Sequence, residues 1–298
     1  MRNKKFNSIV CFGEVLWDML PTGAKPGGAP LNVAIHLKKQ GLNPLLISKV
    51  GNDKDGEKLL EFLRNSGLNT NLIQTDNTFP TSQVLVHLDT YKNATYEICE
   101  PVAWDNIEIT QGINDALKNT GLIIYGSLAS RNKTTRKTLL QMLKTSSATR
   151  LVDINLRAPY DKREWVEELL RISDFAKLND DELKIIAGWY VINGDNPKLI
   201  KWLANIYNCE TVCVTRGENG AIIYSAGEVF EHNGFKVTVA DTVGAGDSFL
   251  ASLVNSLSKN ISVPEALEKA CATGAFVTSQ NGAVPNYSEK DIQELIRV

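Results

Sequence analysis

The sequence lacks an excess of charge of either sign, and it lacks long apolar runs. Across 298 residues, Lys and Arg total 32 while Asp and Glu total 34, so there is no electrostatic footprint for nucleic acid or for an anionic membrane surface. No apolar run approaches the roughly 18 residues that span a bilayer. We therefore expect neither a nucleic-acid partner nor a membrane partner.

Cysteine is scarce, and histidine more so. The five cysteines are an odd number. Four of them (Cys11, Cys209, Cys213 and Cys271) lie in apolar segments, which is typical of reduced, buried thiols in a cytoplasmic protein. No second Cys or His pair accompanies Cys209 and Cys213, which excludes a zinc site built from two such pairs. The three histidines fall outside the motifs described below, and we interpret them as structural or surface residues.

The sequence also lacks internal repeats, low-complexity segments and a linker rich in Pro, Gly or Ser. Hydrophobic residues amount to 43%, which is enough for a sizeable core, and single α/β domains often reach this length. We therefore expect residues 1–298 to form a single domain.

Short apolar runs alternate with helical patterns along most of the chain. The predicted strands are 8–12, 45–50, 122–125, 150–154, 175–178, 211–215 and 221–224, and the predicted helices are 31–40, 56–66, 133–144, 163–172, 180–187, 197–207, 248–256, 264–279 and 288–296. Such alternation predicts a mainly parallel sheet with helices on both faces. Ligands of such sheets bind at the carboxyl ends of the strands.

Residues 78–104 depart from this pattern. Segments 82–89 and 94–99 look like paired antiparallel strands around the turn at 91–93, and residues 15–26 contribute another strand. A small antiparallel lid over the strand ends would keep water from a reactive phosphate. An ordinary edge hairpin explains the same pattern equally well.

The stretch Asp241-Thr-Val-Gly-Ala-Gly-Asp-Ser-Phe249 joins a glycine-rich turn to a helix of small residues. Gly244, Ala245 and Gly246 leave their N–H groups open to a ligand, and the first N–H groups of a helix suit an anion such as a phosphate. Asp247 lies in that positive end, where we expect its ionised form to be favoured and able to accept a hydroxyl proton. The alternative is a structural turn with an acid capping the helix.

A second glycine-rich turn, Gly27-Gly-Ala-Pro-Leu-Asn-Val-Ala34, also leads into a helix. Gly27 and Gly28 allow a small ligand close to the backbone, and Asn32 offers both a donor and acceptors. Asp18 follows the first strand beside an aromatic residue, a setting that suits recognition of sugar hydroxyls. A plain helix start explains the glycines and the proline equally well.

Together, Gly27–Ala34 and Asp241–Asp247 resemble the two signature motifs of the PfkB (ribokinase-like) family of carbohydrate kinases. The motifs stand near the two ends of the chain, and the resemblance covers essentially the whole sequence. It implies a doubly wound α/β domain with a small β lid, which transfers the γ-phosphate of ATP to a sugar hydroxyl. In some members the lid pairs between subunits, so the resemblance also implies a homodimer through the lid.

Lys177-Leu-Asn-Asp-Asp-Glu182 resembles the Asn-x-x-Glu element of the family, which organises Mg²⁺ and its waters near the phosphates. Asn179 and Glu182 are three residues apart at a helix start and share a face. Oxygen ligands around a partly hydrated Mg²⁺ fit that spacing. A helix N-terminal capping box is the alternative.

Thr215-Arg-Gly-Glu-Asn-Gly220 resembles the nucleotide-side turn of the family, in which Thr215, Gly217 and Gly220 approach the ATP phosphates. The same residues also read as a hairpin turn between strands 211–215 and 221–224. The two interpretations are compatible.

Residues 279–286 resemble the loop that flanks adenine and helps to form a monovalent-cation site in relatives. Ser279 and Gly282 belong to that loop. By the same resemblance, Asp241 and Val243 contribute ligands to such a cation, for which K⁺ is the expected ion.

The most similar branch of the family is that of the fructokinases. This resemblance rests on Phe12-Gly-Glu-Val-Leu-Trp-Asp18, on the start of the second turn and on Asp153-Ile-Asn-Leu-Arg157, in which Arg157 meets the substrate or the transferring phosphate. Ribokinases usually carry a lysine where this chain has Ala29. The 2-keto-3-deoxygluconate kinases share much of the pattern and stay open as an alternative.

The resemblance also implies individual roles. Asp18, Gly27, Gly28 and Asn32 would orient the sugar, and Asp247 would accept its proton. The N–H groups of the glycine turn would hold the phosphate. A protein of another class, which senses a sugar or nucleotide without turnover, would be expected to have lost one of these residues.

Overall fold

The computed structural model describes residues 6, 8–21, 23–88 and 94–297, with residues 86–88 and 94–96 described through their backbone. The strands are β1 (Ile9–Phe12), β2 (Leu16–Leu20), β3 (Gly23–Gly27), β4 (Leu45–Gly51), β5 (Ile73–Asp76), β6 (Ser82–Leu88), β7 (Ala94–Ile98), β8 (Leu122–Gly126), β9 (Thr149–Asp153), β10 (Phe175–Asn179), β11 (Thr211–Thr215), β12 (Ala221–Ser225) and β13 (Glu228–His232). The helices are α1 (Ala29–Lys39), α2 (Lys54–Asn65), α3 (Gln111–Leu117), α4 (Lys133–Thr145), α5 (Arg163–Arg171), α6 (Asp180–Gly188), α7 (Asn196–Tyr207), α8 (Ala245–Ser258), α9 (Val263–Thr278) and α10 (Glu289–Ile296).

In the described part of the chain, nine strands form the main sheet, in the order β13-β12-β11-β10-β9-β8-β1-β4-β5. From β11 to β5 the neighbours are parallel. The last two strands, β12 and β13, pair antiparallel at one edge. The predicted mainly parallel sheet is therefore confirmed, and its carboxyl ends share one edge, where the site is found.

Alternate side chains of each central strand enter two different cores. In β8, Ile123 and Tyr125 pack into one cluster of buried residues. Leu122 and Ile124 pack into the other. Successive strand side chains point to opposite faces of the sheet. Each face therefore has its own core cluster, which is covered by its own layer of helices. This burial explains why the inner strands are continuous apolar runs.

A second, four-stranded sheet has the order β3-β2-β6-β7. Its two hairpins are antiparallel, and they are joined by parallel pairing of β2 with β6. The small sheet predicted from residues 15–26 and 78–104 is present, with two strands rather than one in the first segment. The turn predicted at 91–93 lies outside the described residues.

Two side chains anchor this lid sheet to the main domain. The indole Nε1 of Trp17 donates to the carbonyl of Asp55 at 3.0 Å. Gln83 Nε2 donates to the carboxylate of the same Asp55 at 2.9 Å. Both contacts fix the lid to the first turn of α2.

Among the described residues, no helix combines the length and apolar character needed to cross a membrane.

Helix α8 packs against both α1 and α9. It begins at Ala245, three residues before the predicted start at Ser248, because Gly244 takes the N-cap position with a left-handed φ of 77°. Asp247 therefore lies within the first turn of the helix.

The cysteines are unpaired thiols in the described part of the chain, and the four expected to be buried are buried.

Candidate active site

The glycine-rich turn before α8 is closely packed against a second loop. A Cβ on Gly244 would lie 2.3 Å from the carbonyl oxygen of Ala283, and its φ of 77° is one that L side chains rarely adopt. No side chain caps this helix within the described residues. The N–H of Ala245 donates to the carbonyl of Thr242 at 3.3 Å, which leaves the N–H groups of Gly246 and Asp247 in position to bind an anion.

The carboxylate of Asp247 is held by the first helix. Asn32 Nδ2, in α1, donates to Asp247 Oδ2 at 2.8 Å. Burial and the nearby charge of Asp153 raise the pKa of Asp247 to about 6, although Asn32 and Lys177 oppose the rise. The expectation that the pKa of Asp247 would favour the ionised form was wrong in direction, because burial favours the protonated form.

A buried ion pair lies beneath the first turn of α8. Lys177 Nζ contacts both oxygens of Asp153, at 3.0 and 2.9 Å, and both side chains are less than a tenth exposed. A Cβ on Gly246 would lie 3.2 Å from the same Nζ. Although burial opposes its charge, Asp153 and then Asp247 hold the pKa of Lys177 above its usual value. Lys177 therefore stays charged beneath the first turn of α8.

The residues expected to bind sugar line the start of the lid. The carboxylate of Asp18 lies over Gly27, since a Cβ there would be 2.3 Å from Asp18 Oδ2. Gly28 has a φ of 112°, and a Cβ on it would be 2.5 Å from the carbonyl oxygen of Glu14. Side chains are therefore excluded at both glycines, which lets Asp18 and the backbone of Glu14 pack directly against this turn.

Glu14 adds a second acid, which is buried, to this end of the site. It is 4% exposed, and its Oε2 has no hydrogen-bond partner among the described residues. Burial raises its pKa to about 7, with Arg157 opposing and Asp247 adding to the rise.

Arg157 is exposed, and its Nη1 donates to the carbonyl of Leu156 at 2.9 Å. Burial raises the pKa of Asp18, and the charge of Arg157 lowers it in part. The same guanidinium acts on Glu14 and Asp247. The carboxyl groups of Glu14, Asp18 and Asp247 are therefore all within electrostatic reach of one cation.

The residues predicted for the nucleotide side come from neighbouring strand ends. Asn179 and Thr215 face each other directly across β10 and β11. After Thr215 the chain turns through Gly217, with φ 56°, and Gly220, with φ 75°. A Cβ on Gly220 would lie 2.1 Å from the carbonyl oxygen of His232. The segment forms the hairpin turn between β11 and β12, which was one of the two interpretations of this motif.

Asn179 and Glu182 form a reciprocal capping box at the start of α6. Asn179 Oδ1 accepts from the N–H of Glu182, and Glu182 Oε2 accepts from the N–H of Asn179, both at 2.8 Å. Glu182 Oε1 accepts from the N–H of Leu156 at 2.7 Å. Since each carboxylate oxygen keeps a further lone pair, the pair fits the waters of a hydrated Mg²⁺ better than the ion itself. Within the described residues, no three His, Cys, Asp or Glu side chains cluster as a metal site.

Asp241 ties the turn before α8 to the loop after α9. Its Oδ1 accepts from the N–H of Val243 at 3.0 Å, and its Oδ2 accepts from the N–H of Gly282 at 3.1 Å. Ser279 ends α9 and donates from Oγ to the carbonyl of Phe276 at 2.7 Å. The residues proposed for adenine and for a monovalent cation therefore lie in one connected region.

The pair Lys177–Asp153 was given no role by the motifs. The signal available in the sequence was the charge of Lys177 within the buried run Phe175-Ala-Lys-Leu178. A buried charge requires a buried partner. Direct pairing of Lys177 with Asp153 across β10 and β9 supplies it. For Glu14, the signal in the sequence was an acidic residue just after a buried strand.

Residues 8–290 match the description "pfkB family carbohydrate kinase". The chain belongs to this family. It is 29% identical to the probable fructokinase-4 of Arabidopsis thaliana, over 99% of this chain and 98% of that relative.

Solved structures share the fold over nearly the whole chain. The fructokinase of Xylella fastidiosa with bound ATP gives a TM-score of 0.85 at 21% identity and covers 98% of each chain. The fructokinase of Vibrio cholerae O395, solved with fructose, ADP and a calcium ion, gives 0.81 at 22% identity, covering 98% of this chain and 99% of that one. A double mutant of that enzyme holds fructose, ADP and a potassium ion, with 0.82 at 21% identity, covering 99% and 100%. These likenesses confirm the fold predicted from the sequence.

Proposed function

We propose that this carbohydrate kinase is a fructokinase, which transfers the γ-phosphate of ATP to fructose and yields fructose 6-phosphate and ADP. The observation that carries the proposal is the hydrogen bond of 2.8 Å from Asn32 to Asp247. It joins the sugar-side helix to an acid within the anion-binding turn. The fructokinase names of the relatives support the choice of sugar.

In the proposed reaction, Asp247 accepts the proton of the C6 hydroxyl as the bond from that oxygen to the γ-phosphorus forms. The bond from the γ-phosphorus to the β–γ bridging oxygen breaks, and ADP leaves with those electrons. Backbone N–H groups of the Gly244–Asp247 turn would hold the equatorial oxygens, with Arg157 assisting by its charge. Asp18, Gly27, Gly28 and Asn32 would orient the sugar.

On the nucleotide side, we propose that Thr215, Gly217 and Gly220 approach the phosphates and that Ser279 and Gly282 flank the adenine. Asn179 and Glu182 would hold Mg²⁺ through its waters, and the bound ion would neutralise charge on the phosphate oxygens. For K⁺ we propose the region of Asp241 and Val243, supported by the potassium-bound relative.

A second acceptor is favoured by one observation. Arg157 is an exposed guanidinium at the sugar end, and such a group binds a carboxylate well. Because fructose is neutral and 2-keto-3-deoxygluconate carries a carboxylate, the latter is the second candidate substrate.

The test is a phosphorylation panel with ATP and Mg²⁺ over fructose, ribose, 2-keto-3-deoxygluconate, tagatose and nucleosides, with ADP release as the measurement. We expect fructose to give the highest kcat/KM and chelation of Mg²⁺ to abolish turnover. Dominant turnover on another acceptor would overturn the choice of fructose. Absence of turnover on every acceptor would favour the non-catalytic sensor.

We also propose a cytoplasmic enzyme that forms a homodimer through the lid. The buried, unpaired thiols support the first part. The edge strands β3 and β7 of the lid sheet support the second, because an exposed edge offers unpaired backbone groups. Light scattering of the purified chain tests the dimer, and a monomer at micromolar concentration would contradict it.

A further inference from the structure

Helix α1 contacts the active site a second time, one turn beyond Asn32. His36 is four residues further along and therefore on the same face of the helix, and it is fully buried. Where Asn32 holds Asp247, His36 contacts the segment between α9 and α10, residues 279–287, here called the 279–287 loop. One face of one helix thus meets both the proposed base and the proposed nucleotide loop.

The hydrogen bonds around His36 have a single consistent direction. The carbonyl of Ala283 can only accept, so His36 Nε2 carries the hydrogen and donates to it at 2.9 Å. Nδ1 then accepts from the hydroxyl of Tyr287 at 3.0 Å, and that hydroxyl accepts from Gln40 Nε2 at 3.0 Å. Burial lowers the pKa of His36 to about 4, so the ring is neutral at physiological pH, as this arrangement requires.

The loop residue held by His36 is the one that packs on the phosphate-binding turn. A Cβ on Gly244 would lie 2.3 Å from the carbonyl oxygen of Ala283, so the backbone of the two residues is in direct contact. The neighbouring Gly282 donates its N–H to Asp241. A shift of Ala283 would therefore move both the N-cap of α8 and the Asp241 turn.

We infer that His36 is a positioning residue, which holds the 279–287 loop against Gly244 and so sets the geometry of nucleotide binding. The inference rests on the proposed function in one respect, the assignment of this side of the cleft to the nucleotide. His36 itself contacts the backbone of Ala283 and the side chain of Tyr287 and need not touch a substrate.

A matched pair of variants tests the inference. His36→Gln keeps a donor and an acceptor in one amide, whereas His36→Leu fills a similar volume and keeps neither. Of the two hydrogen bonds that His36→Leu removes, the one to Ala283 acts directly on the residue that contacts Gly244. We expect its loss to weaken binding of ADP with Mg²⁺ about tenfold, measured by calorimetry, since one buried hydrogen bond is worth about 1.4 kcal/mol. We expect His36→Gln to stay within about threefold of wild type and the affinity for fructose alone to be unchanged in both.

Tyr125→Phe is the control for a purely structural effect. Tyr125 shares a buried hydrogen bond of 2.8 Å with Ser173 in the core on the opposite face of the sheet from α1. Its removal should lower the melting temperature but leave the affinity for ADP unchanged. If His36→Leu does not fold, Tyr287→Phe carries the test, because it removes the donor to His36 Nδ1 and should also weaken ADP binding.

The outcomes separate the inference from the proposed function. Wild-type affinity for ADP in folded His36→Leu, or in Tyr287→Phe where that variant carries the test, would overturn the positioning role alone. An equal loss in Tyr125→Phe would overturn it as well. Failure of the wild-type chain to bind ADP would overturn the nucleotide assignment, and the inference with it.

Discussion

The groups around Asp247 shift its pKa in opposite directions. Burial, and then the charge of Asp153, raise its pKa to about 6, and a general base must be ionised to accept a proton. We therefore predict that kcat/KM for the sugar is constant above pH 7 and falls below about pH 6, with the slope of a single proton. A profile that stays flat down to pH 4.5 would contradict the assigned acidity.

Asp153 influences that acidity without touching the substrate in the proposed reaction. Asp153→Asn removes a negative charge that raises the pKa of Asp247 and frees the charge of Lys177 to lower it. We predict that the acidic limb of the pH profile moves to lower pH. The control is Asp76→Asn, which breaks another buried pair, Lys49–Asp76 at 2.8 Å, and should leave the limb in place. A shift toward higher pH, or an equal shift in both variants, would show that Asp153 does not act on the base.

Among the helices and strands, α8 is the one whose first turn depends most closely on a single glycine, Gly244. Gly244→Ala would place a methyl group 2.3 Å from the Ala283 carbonyl, at a φ of 77°. We predict a fall in kcat/KM for ATP on the order of 10², the effect of losing one oriented donor. Kinetics with varied ATP provide the measurement.

Gly227→Ala is the matched control for this prediction. Gly227 has a φ of 89° but nothing within 4 Å of an added Cβ, and it lies in the turn between β12 and β13. It should lose roughly 1–2 kcal/mol of stability through backbone strain and keep its activity. Equal kinetic losses in the two variants would mean that strain, and not the position of the turn, explains the effect.

The inner elements were predictable from the sequence, and the edge elements were not. The central strands are continuous apolar runs because both faces are buried, as in the fully buried β1. The edge strands β5 (Ile-Gln-Thr-Asp) and β13 (Glu-Val-Phe-Glu-His) mix polar and apolar residues, which hides them from a search for such runs. The short helix α3 was missed because only two of its side chains, Ile113 and Leu117, are buried.

The candidate site was predictable where its residues are neighbours in the chain. The two glycine turns are local motifs, and the structure brings Asn32 and Asp247 together across 215 positions. The pair Lys177–Asp153 depends on strand register, and His36 depends on a loop some 250 residues away. The acidity of Asp247 was misjudged because burial, which decides it, is a property of the folded chain.

At the scale of the whole molecule, the described residues form two core clusters that share one sheet, with a lid attached to it. Because alternate residues of the same strands enter both clusters, neither can unfold without the other. We therefore predict a single calorimetric transition whose van't Hoff and calorimetric enthalpies agree. Two separated transitions would contradict the single domain expected for residues 1–298.

Whether Asp247 is the base of this kinase is measured by the kcat of Asp247→Ala with saturating fructose, ATP and Mg²⁺. Binding of ADP and the melting temperature serve as controls for an intact fold. The predicted result is a loss of kcat by about 10²–10⁴, the usual contribution of a general base, with nucleotide binding retained. A folded variant with nearly full turnover would contradict the account.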